Sequence, residues 1–353
     1  MNARENKQTP RVRVYMPTYR RHRLLQRAIA SLQAQTLTDW ICEVHNDDPN
    51  DPEPGRIVEK LNDPRFILCQ HERNLGGTET FNLFFRGTEE PFSSILEDDN
   101  WWEPDFLEKM IATAEEFPDV KVFWSNQKLW QEETDGSFRD VGRCVHPYSE
   151  GDRPKLIEWG QEAQIYGAIH AVGAALFRID PDHPLTTPAI PQAGIEIFRE
   201  RMFSYPIVFV PQPVAHFSMT LTTNRATNRF EWPFFQALFA ASFLKHADYS
   251  DEKLEGLWKS ARAKNPPSTN SLIYASLVEP DCRHVRRFAK FADWLLFLRG
   301  VLGRPRVFWN VLRCRKTHQS WWTFLDSHTA ERFADLRRPS HAPKPDVDHR
   351  VEV

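Results

Sequence analysis

Three carboxylates stand side by side in the segment SILEDDNWW, at Glu97, Asp98 and Asp99. They directly follow an apolar run at 92–96 that has the length and composition of a buried strand. Adjacent carboxylates repel one another, and they become favourable when a divalent cation lies between them and the phosphates of a ligand. Hard oxygen ligands suit Mg²⁺ or Mn²⁺. The alternative is an ordinary acidic turn before the helix that Pro104 begins.

The elements around this triplet predict where it lies. Short strands are expected at 12–16, 41–45, 66–69, 92–96 and 120–124, with helical apolar spacing between them, and a later strand is expected at 207–210. This alternation predicts an α/β fold, a mostly parallel sheet flanked by helices. In such sheets ligands bind beyond the carboxyl ends of the strands. The polar clusters PTYRR at 17–21, NDD at 46–48 and EDDN at 97–100 should therefore meet at one edge.

Two long segments resemble a known family. The run VRVYMPTYRRHRLLQRAIASLQAQTLTDWICEVHNDDPND is similar to the opening of a family 2 glycosyltransferase of the GT-A fold. LEDDNWWEPDFLEKM resembles that family's metal-binding D-x-D region and the helix after it. The resemblance covers about residues 11–125, is loose from 126 to 220 and is absent beyond about 250.

The resemblance implies an activity. It implies a metal-dependent, inverting transferase that moves a sugar from a nucleoside diphosphate sugar, UDP- or dTDP-linked, to an acceptor hydroxyl. The acceptor would be a saccharide or a lipid-linked molecule in cell-surface polysaccharide or glycoconjugate synthesis. The cofactor would be Mn²⁺ or Mg²⁺.

The resemblance also assigns residues to the donor site. Asp99 is the more direct metal ligand, Asp98 lies near the ribose and the metal, and Asp48 accepts a hydrogen bond from the base. The remaining nucleotide contacts are Pro17, Thr18, Tyr19, and Arg73 or Asn74. The family's Asp-Asp-Gly-Ser turn is Asp47-Asp48-Pro49-Asn50 here, and the usual Ala-Arg-Asn is Thr80-Phe81-Asn82, without the arginine.

The second half of the chain supplies the candidates for the reaction itself. Glu196, in AGIEIFRERMF, stands where the family has its general base, although the family's Glu-Asp pair is absent. Its alternative role is a favourable interaction with a helix N-terminus. His216 is a candidate metal ligand or a structural histidine. Arg225 or Arg229 could reach the diphosphate.

Acceptor-site candidates come from aromatic residues and from a predicted strand at 168–179. They are Trp124, Trp130, Trp159, Tyr166, His170 and Gly173. The alternative role is core packing for the aromatic residues, which more often lie in cores, and strand packing for His170 and Gly173.

Composition narrows the class of protein. The 353 residues carry a net charge of −3, which gives no reason to expect a nucleic-acid partner. The five cysteines are scattered without a C-x-x-C pair, which favours a reducing compartment. No signal-peptide core or membrane-spanning run is present, so we expect a cytoplasmic protein.

The C-terminal part has a different composition. Between 281 and 322 ten Lys or Arg stand against two Asp, and Phe288, Phe291, Leu295, Leu298 and Leu302 share one helical face. Such a face at 283–322 either packs on the catalytic domain or makes a peripheral contact with the inner face of the membrane.

These observations predict a division of the chain. A flexible start at 1–10 precedes a catalytic domain at 11–250, with a nucleotide half at 11–125 and an acceptor half at 126–250. A helical region at 251–338 and a disordered tail at 339–353 follow.

Two other functions remain open from the residues alone. A nucleotidyltransferase also joins a nucleotide domain to metal-binding carboxylates, but PTYRRHR lacks the glycine-rich loop expected there. A non-catalytic nucleotide-sugar-binding protein would keep the pocket and lack a base. A dehydrogenase is disfavoured because no G-x-G-x-x-G follows the first strand.

Overall fold

The computed structural model describes residues 9–221, 232–265 and 267–338. Its first half alternates strands and helices. The order is β1 (Val12–Thr18), α1 (His22–Gln33), β2 (Trp40–Asn46), α2 (Glu53–Leu61), β3 (Phe66–Gln70), α3 (Gly76–Phe84), β4 (Phe92–Ile95), β5 (Trp101–Trp102) and α4 (Phe106–Glu116). The helices form where apolar residues recur at helical spacing, as in α1, whose five apolar positions at this spacing are all buried.

The second half continues the sheet and ends in helices. It contains β6 (Val122–Glu132), β7 (Phe138–Cys144), β8 (Lys155–Ile157), β9 (Ala175–Phe177), α5 (Ile195–Glu200) and β10 (Ile207–Met219). The helices α6 (Trp232–His246), α7 (Asp251–Ala263), α8 (Thr269–Val278), α9 (Phe291–Gly303), α10 (Pro305–Thr317) and α11 (Gln319–Arg337) follow. The predicted fold class, a flanked α/β sheet with a helical C-terminal extension, is confirmed.

One sheet runs through the molecule in the order β3-β2-β1-β4-β9-β6-β10-β5. The strands β3, β2, β1 and β4 are parallel. Beyond β4 the sheet is mixed, because β9 runs antiparallel to both β4 and β6 while β10 is parallel to β6. The carboxyl ends of β1, β2 and β4 therefore share one edge, as the alternation predicted.

Three segments differ from the sequence-based expectation. The strand expected at 120–124 is longer than expected, because β6 continues to Glu132 and pairs with β7 as a hairpin. The predicted strand at 168–179 is a 3₁₀ turn at Val172–Ala174 followed by the three residues of β9. The predicted strand at 207–210 extends to Met219, and the register shifts around Pro213 accommodate prolines that cannot donate to the ladder.

Each face of the sheet covers its own apolar core. Val12, Val14 and Met16 of β1 pack towards α1 and α4 on one face, while Tyr15 points to the other. The second core is larger and includes Phe239 of α6 and residues from α7 to α11. Among the described residues, none of the helices has the length and apolar composition needed to cross a bilayer.

Candidate functional site

The register of β1 and β4 brings a hydroxyl to the carboxylate triplet. Tyr15 of β1 pairs with Ile95 of β4, so the residues three positions further on each strand also meet. There the hydroxyl of Thr18 donates a hydrogen bond of 2.8 Å to Oδ2 of Asp98, and both side chains are buried. Two of the sequence-predicted site residues thus contact each other directly.

One guanidinium bridges the two aspartates. Nη1 of Arg21 lies 3.2 Å from Oδ1 of Asp98 and 2.9 Å from Oδ2 of Asp99. Burial raises the pKa of Asp98 to about 7, with a further contribution from the charge of Asp99, although Arg21 and Thr18 act in the opposite direction. The two buried carboxylates therefore share one guanidinium. Their oxygen atoms are the ligands that a hard divalent cation prefers.

The backbone of Asp99 is also fixed. Its carbonyl oxygen accepts a 2.6 Å hydrogen bond from Nη2 of Arg27 and another from the hydroxyl of Ser218 on β10. The Arg27 guanidinium stacks on the rings of Trp101 and Phe138, at 4.0 and 3.9 Å from their centroids. Arg21 and Arg27 were missed as site residues, and the signal available was the density of arginines after the first strand.

The predicted nucleobase residues surround the ends of β1 and β2. Asp48 receives a 2.5 Å hydrogen bond from Nε of Arg20, and this contact holds the pKa of Asp48 below its usual range. Pro17 lies in β1, and Tyr19 follows the strand with an exposed ring. Exposed surface at this edge is thus available to a flat ligand.

Arg73 and Asn74 lie between β3 and α3 and are both exposed. Arg73 pairs with Glu79 across 2.5 Å on the surface. These two residues stay a prediction as nucleotide contacts.

A short turn joins the carboxylates to the candidate base. Glu196 lies at the start of α5, half-buried, and its Oε1 accepts a 2.9 Å hydrogen bond from the amide of Val172. A Cβ atom at the next residue, Gly173, would come within 2.8 Å of Oε2 of Glu97 and 3.1 Å of Nδ2 of Asn100. Glycine at 173 therefore lets the EDDN segment approach the turn that Glu196 holds.

The second glutamate of α5 has a different environment. Glu200 is fully buried, where its carboxylate accepts hydrogen bonds from the amide of Ile169 at 2.8 Å and from Gln164 Nε2 at 2.8 Å. It also lies 2.7 Å from Nδ1 of His170. These partners lower the pKa of Glu200 in spite of its burial. Glu200 thus holds the segment at 164–170 in place.

His216 lies on β10, and both of its ring nitrogens are engaged. Nδ1 accepts a 2.9 Å hydrogen bond from the Trp130 indole, and Nε2 lies 3.1 Å from Oε1 of Glu103. Its ring stacks on Trp101 with 4.8 Å between centroids. Burial lowers the pKa of His216 to about 4, so the ring is neutral near pH 7. Ligation of a metal would require His216 to exchange one of these contacts, and its role as a ligand stays a prediction.

A cavity of about 140 Å³ lies next to the turn that Glu196 holds. Its walls include Trp124 and Gln127 of β6, His146, and the segment at 168–171 that leads into Val172. Of the other aromatic candidates, Trp130 contacts His216, Trp159 is buried in the core and Tyr166 packs against it. Arg225 and Arg229 lie outside the described residues.

Comparison with known proteins gives a consistent result. Residues 13–152 match the model of Glycosyl transferase family 2. WcaA of Escherichia coli (strain K12), named as a candidate colanic acid biosynthesis glycosyl transferase, is 27% identical over 128 residues, which is 36% of this chain and 46% of WcaA. The uncharacterized glycosyltransferase MJ1057 of Methanocaldococcus jannaschii is 29% identical over 119 residues, 33% of this chain and 41% of that protein. The matched segment thus spans less than half the length of these relatives.

The fold is shared with solved structures over most of the chain. TarS 1–349 of S. aureus in complex with UDP superposes with a TM-score of 0.54 at 15% identity, over 84% of this chain and 91% of that one. The complex of TarS 1–349 with UDP-GlcNAc gives 0.53 at 14% identity, over 93% and 91%. At 14 to 15% sequence identity, this similarity shows a shared fold and nothing about the reaction.

Proposed function

Because residues 13–152 match the model of Glycosyl transferase family 2, we propose that this chain transfers a sugar from a nucleoside diphosphate sugar to an acceptor hydroxyl. We propose that it acts in the synthesis of a cell-surface polysaccharide or glycoconjugate and inverts the anomeric centre. The observation that supports this most is the meeting of Asp98 and Asp99 with Thr18 and Arg21 at the carboxyl edge of the parallel strands.

Asp99 and Asp98 would hold Mn²⁺ or Mg²⁺. A bound cation of this kind neutralises charge that develops on the leaving diphosphate. Arg21 would then contact the diphosphate as well as the carboxylates, since its guanidinium already faces both aspartates. The hydrogen bond from Thr18 keeps the buried Asp98 carboxylate oriented.

The base would be a uracil or a thymine, because Asp48 can accept a hydrogen bond from the imide N–H that both carry. Structures of the same fold described with UDP and UDP-GlcNAc make uridine donors the first to test. Tyr19 would offer its exposed ring to the base.

Glu196 would be the general base. Its carboxylate takes the proton of the acceptor hydroxyl as that oxygen attacks the anomeric carbon in line with the departing diphosphate. The amide of Val172 fixes one carboxylate oxygen and leaves the other for the acceptor. The cavity beside the 168–171 segment is where we place part of the acceptor.

A turnover assay tests the proposal without knowledge of the acceptor. Release of nucleoside diphosphate from UDP- and dTDP-sugars is measured with Mn²⁺, with Mg²⁺ and with EDTA. Asp99→Asn should lower the rate roughly 10²-fold or more, because a cation supplies several kcal/mol of charge stabilisation. Asp105→Asn changes a partly exposed acid that precedes α4 and pairs with Lys109 of that helix, and it should leave the rate unchanged. Release unaffected by EDTA and by Asp99→Asn would contradict the proposal. Donor binding without release from any donor would favour the non-catalytic binder.

We also propose that α9 and α10 touch an anionic membrane surface. The sequence left packing as the alternative for this face, but Phe291 and Leu302 are 83% and 82% exposed and Leu295 and Leu298 are exposed between them. Exposed arginines flank the face, and Arg306 and Arg313 line an open depression of about 390 Å³ with Trp309. Apolar residues beside cations match a lipid interface with anionic headgroups.

Vesicle sedimentation tests this contact. The chain should bind vesicles that contain phosphatidylglycerol and should bind neutral vesicles more weakly. Leu295→Glu together with Leu302→Glu should abolish binding, whereas Leu336→Glu, at an exposed leucine of α11, should not. Equal binding by the double variant, or no binding by the unaltered chain, would exclude the contact.

A further inference from the structure

Three side chains with different metal-binding atoms meet on one face of β2 and β3. In the sheet, β1 separates these two strands from β4, which Asp98 and Asp99 follow. Glu43 and His45 are two residues apart on β2, and Cys69 of β3 is the register partner of His45. Alternating positions and register partners of parallel strands point to the same face. One ligand atom of each residue lies within 4.8 Å of the others.

A chain of hydrogen bonds behind His45 determines which of its nitrogens carries hydrogen. Asp47 accepts the amides of Leu75 and Gly76 at 2.7 and 2.9 Å, and Nδ1 of His71 lies 3.0 Å from its Oδ1. Since a carboxylate accepts, His71 donates from Nδ1, and its Nε2 in the neutral ring accepts from Nδ1 of His45 at 3.0 Å.

The remaining nitrogen, Nε2 of His45, lies 3.1 Å from Oε2 of Glu43, whose other oxygen pairs with Arg13. In a neutral ring this nitrogen presents a lone pair to a carboxylate oxygen. A positive group between the two atoms, a proton or a metal ion, makes the contact favourable. Metal-binding histidines generally donate their other ring N–H to a fixed acceptor, which is the arrangement that His71 and Asp47 provide here.

The three ligand types select the metal. An imidazole nitrogen, a thiolate and a carboxylate suit Zn²⁺, whereas Mg²⁺ prefers oxygen alone. Glu43 and Cys69 are half-buried, so water can reach a fourth position. Phe84 of α3 covers His45, with 4.8 Å between ring centroids, and shields the site on one side.

We propose that Glu43, His45 and Cys69 form a Zn²⁺ site, with His71 and Asp47 as positioning residues behind His45. The ion would connect β2 to β3 through its three ligands. It would also fix the start of α3, because the hydrogen bonds behind His45 run through His71 to Asp47, which accepts the amides of Leu75 and Gly76. The site is separate from the pair Asp98 and Asp99 that we assign to Mn²⁺ or Mg²⁺.

Cobalt substitution tests the site in the full chain. After treatment with EDTA, one equivalent of Co²⁺ should produce thiolate-to-cobalt charge-transfer absorption, and Zn²⁺ should displace it stoichiometrically. Cys69→Ser should remove this absorption. Cys144→Ser, at a half-buried free cysteine of β7, should keep it, and so should Asp99→Asn.

Two further variants keep the test valid if Cys69→Ser fails to fold. Glu43→Gln keeps the thiol and should weaken Zn²⁺ binding at least about tenfold, and His71→Asn should weaken it by about 10- to 100-fold. Zn²⁺ should also raise the melting temperature of the unaltered chain. A folded chain without cobalt–thiolate absorption, or Zn²⁺ affinity unchanged in both Glu43→Gln and His71→Asn, would overturn the proposal.

Discussion

At the scale of single residues, two glutamates of the short helix α5 differ in burial and in hydrogen-bond partners, and we expect them to have different roles. Glu196 is half-buried and has one backbone partner, the amide of Val172. Glu200 is fully buried among His170, Gln164 and the amide of Ile169. Of the two, Glu196 is the one that a substrate can approach, as its proposed role requires, whereas Glu200 holds the fold through its buried partners.

Exchange of each glutamate for glutamine should therefore have different effects. Glu196→Gln should lower kcat by about 10²- to 10⁴-fold, the usual contribution of a general base, with little change in melting temperature. Glu200→Gln should mainly lower the melting temperature. Steady-state kinetics and thermal unfolding of both variants check this, and full turnover in Glu196→Gln would remove Glu196 from the mechanism.

The pH dependence of stability follows from the direction of the Glu200 shift. Its pKa is lower in the folded chain than when unfolded, so its contribution is present above the ordinary glutamate range and is lost as the pH falls through the folded-state pKa. Glu200→Gln should cost about 1–3 kcal/mol in the free energy of unfolding at neutral pH, and the difference should shrink at about pH 4.

Urea unfolding at both pH values measures this difference. Glu133→Gln, at an exposed pair with Arg139, is the control and should change stability by less than about 1 kcal/mol. A penalty for Glu200→Gln that is the same at both pH values would show that its charge does not contribute.

Residue types alone indicated part of the site. The carboxylates at 97–99 stood out because three like charges end an apolar strand, which needs an explanation. The roles of Arg21 and Arg27 could not be derived, because they depend on how α1 and the residue before it lie against the end of β4. The partners of His216, Trp130 and Glu103, lie 86 and 113 positions away, and nothing local in the sequence pairs them.

At the scale of elements, the turn at Val172–Ala174 determines how closely the two halves of the site approach. Trp102 donates its indole N–H to the carbonyl of Gly173 at 2.8 Å, so β5 and this turn are tied together. Patterning predicted a strand here because the segment is small and apolar, and small residues serve close approach as well as they serve strands.

Gly173→Ala should disturb the site more than the fold. The added methyl would meet Oε2 of Glu97 at 2.8 Å and force the EDDN segment to shift, at a cost of about 1–3 kcal/mol in stability and a larger proportional loss of turnover. Gly256→Ala on α7, where a Cβ meets nothing within 4 Å, should stabilise by about 0.5–1 kcal/mol. Activity and melting temperature of both variants test this, and normal turnover in Gly173→Ala would separate the turn from catalysis.

At the scale of the whole molecule, the C-terminal helices share a core with the second half of the sheet. Trp321 of α11 donates to the carbonyl of Ala189 at 3.0 Å, and Asp326 pairs with Lys245 and His246 of α6 at 2.8 and 2.7 Å. The sequence predicted helices after residue 250, but the shared core depends on contacts between distant residues that composition does not encode.

Residues 11–250 and 251–338 should therefore unfold together. Differential scanning calorimetry should show one cooperative transition, and a chain that ends at residue 250 should fail to fold because it would expose the apolar face of α6. Two separate transitions, or a folded and active shorter chain, would show that the C-terminal helices are an independent domain.

The central claim is that a cation held by Asp98 and Asp99 binds the diphosphate of a nucleotide sugar. Isothermal titration calorimetry with UDP and UDP-sugars, with Mn²⁺ and with EDTA, tests this most directly. The unaltered chain should bind at least one of these ligands at least about tenfold more tightly with Mn²⁺ than with EDTA, a difference of roughly 1.4 kcal/mol in binding free energy. Asp105→Asn should show the same gain in affinity, and Asp99→Asn should show none. Equal affinity with Mn²⁺ and EDTA, or a gain that persists in Asp99→Asn, would contradict the account.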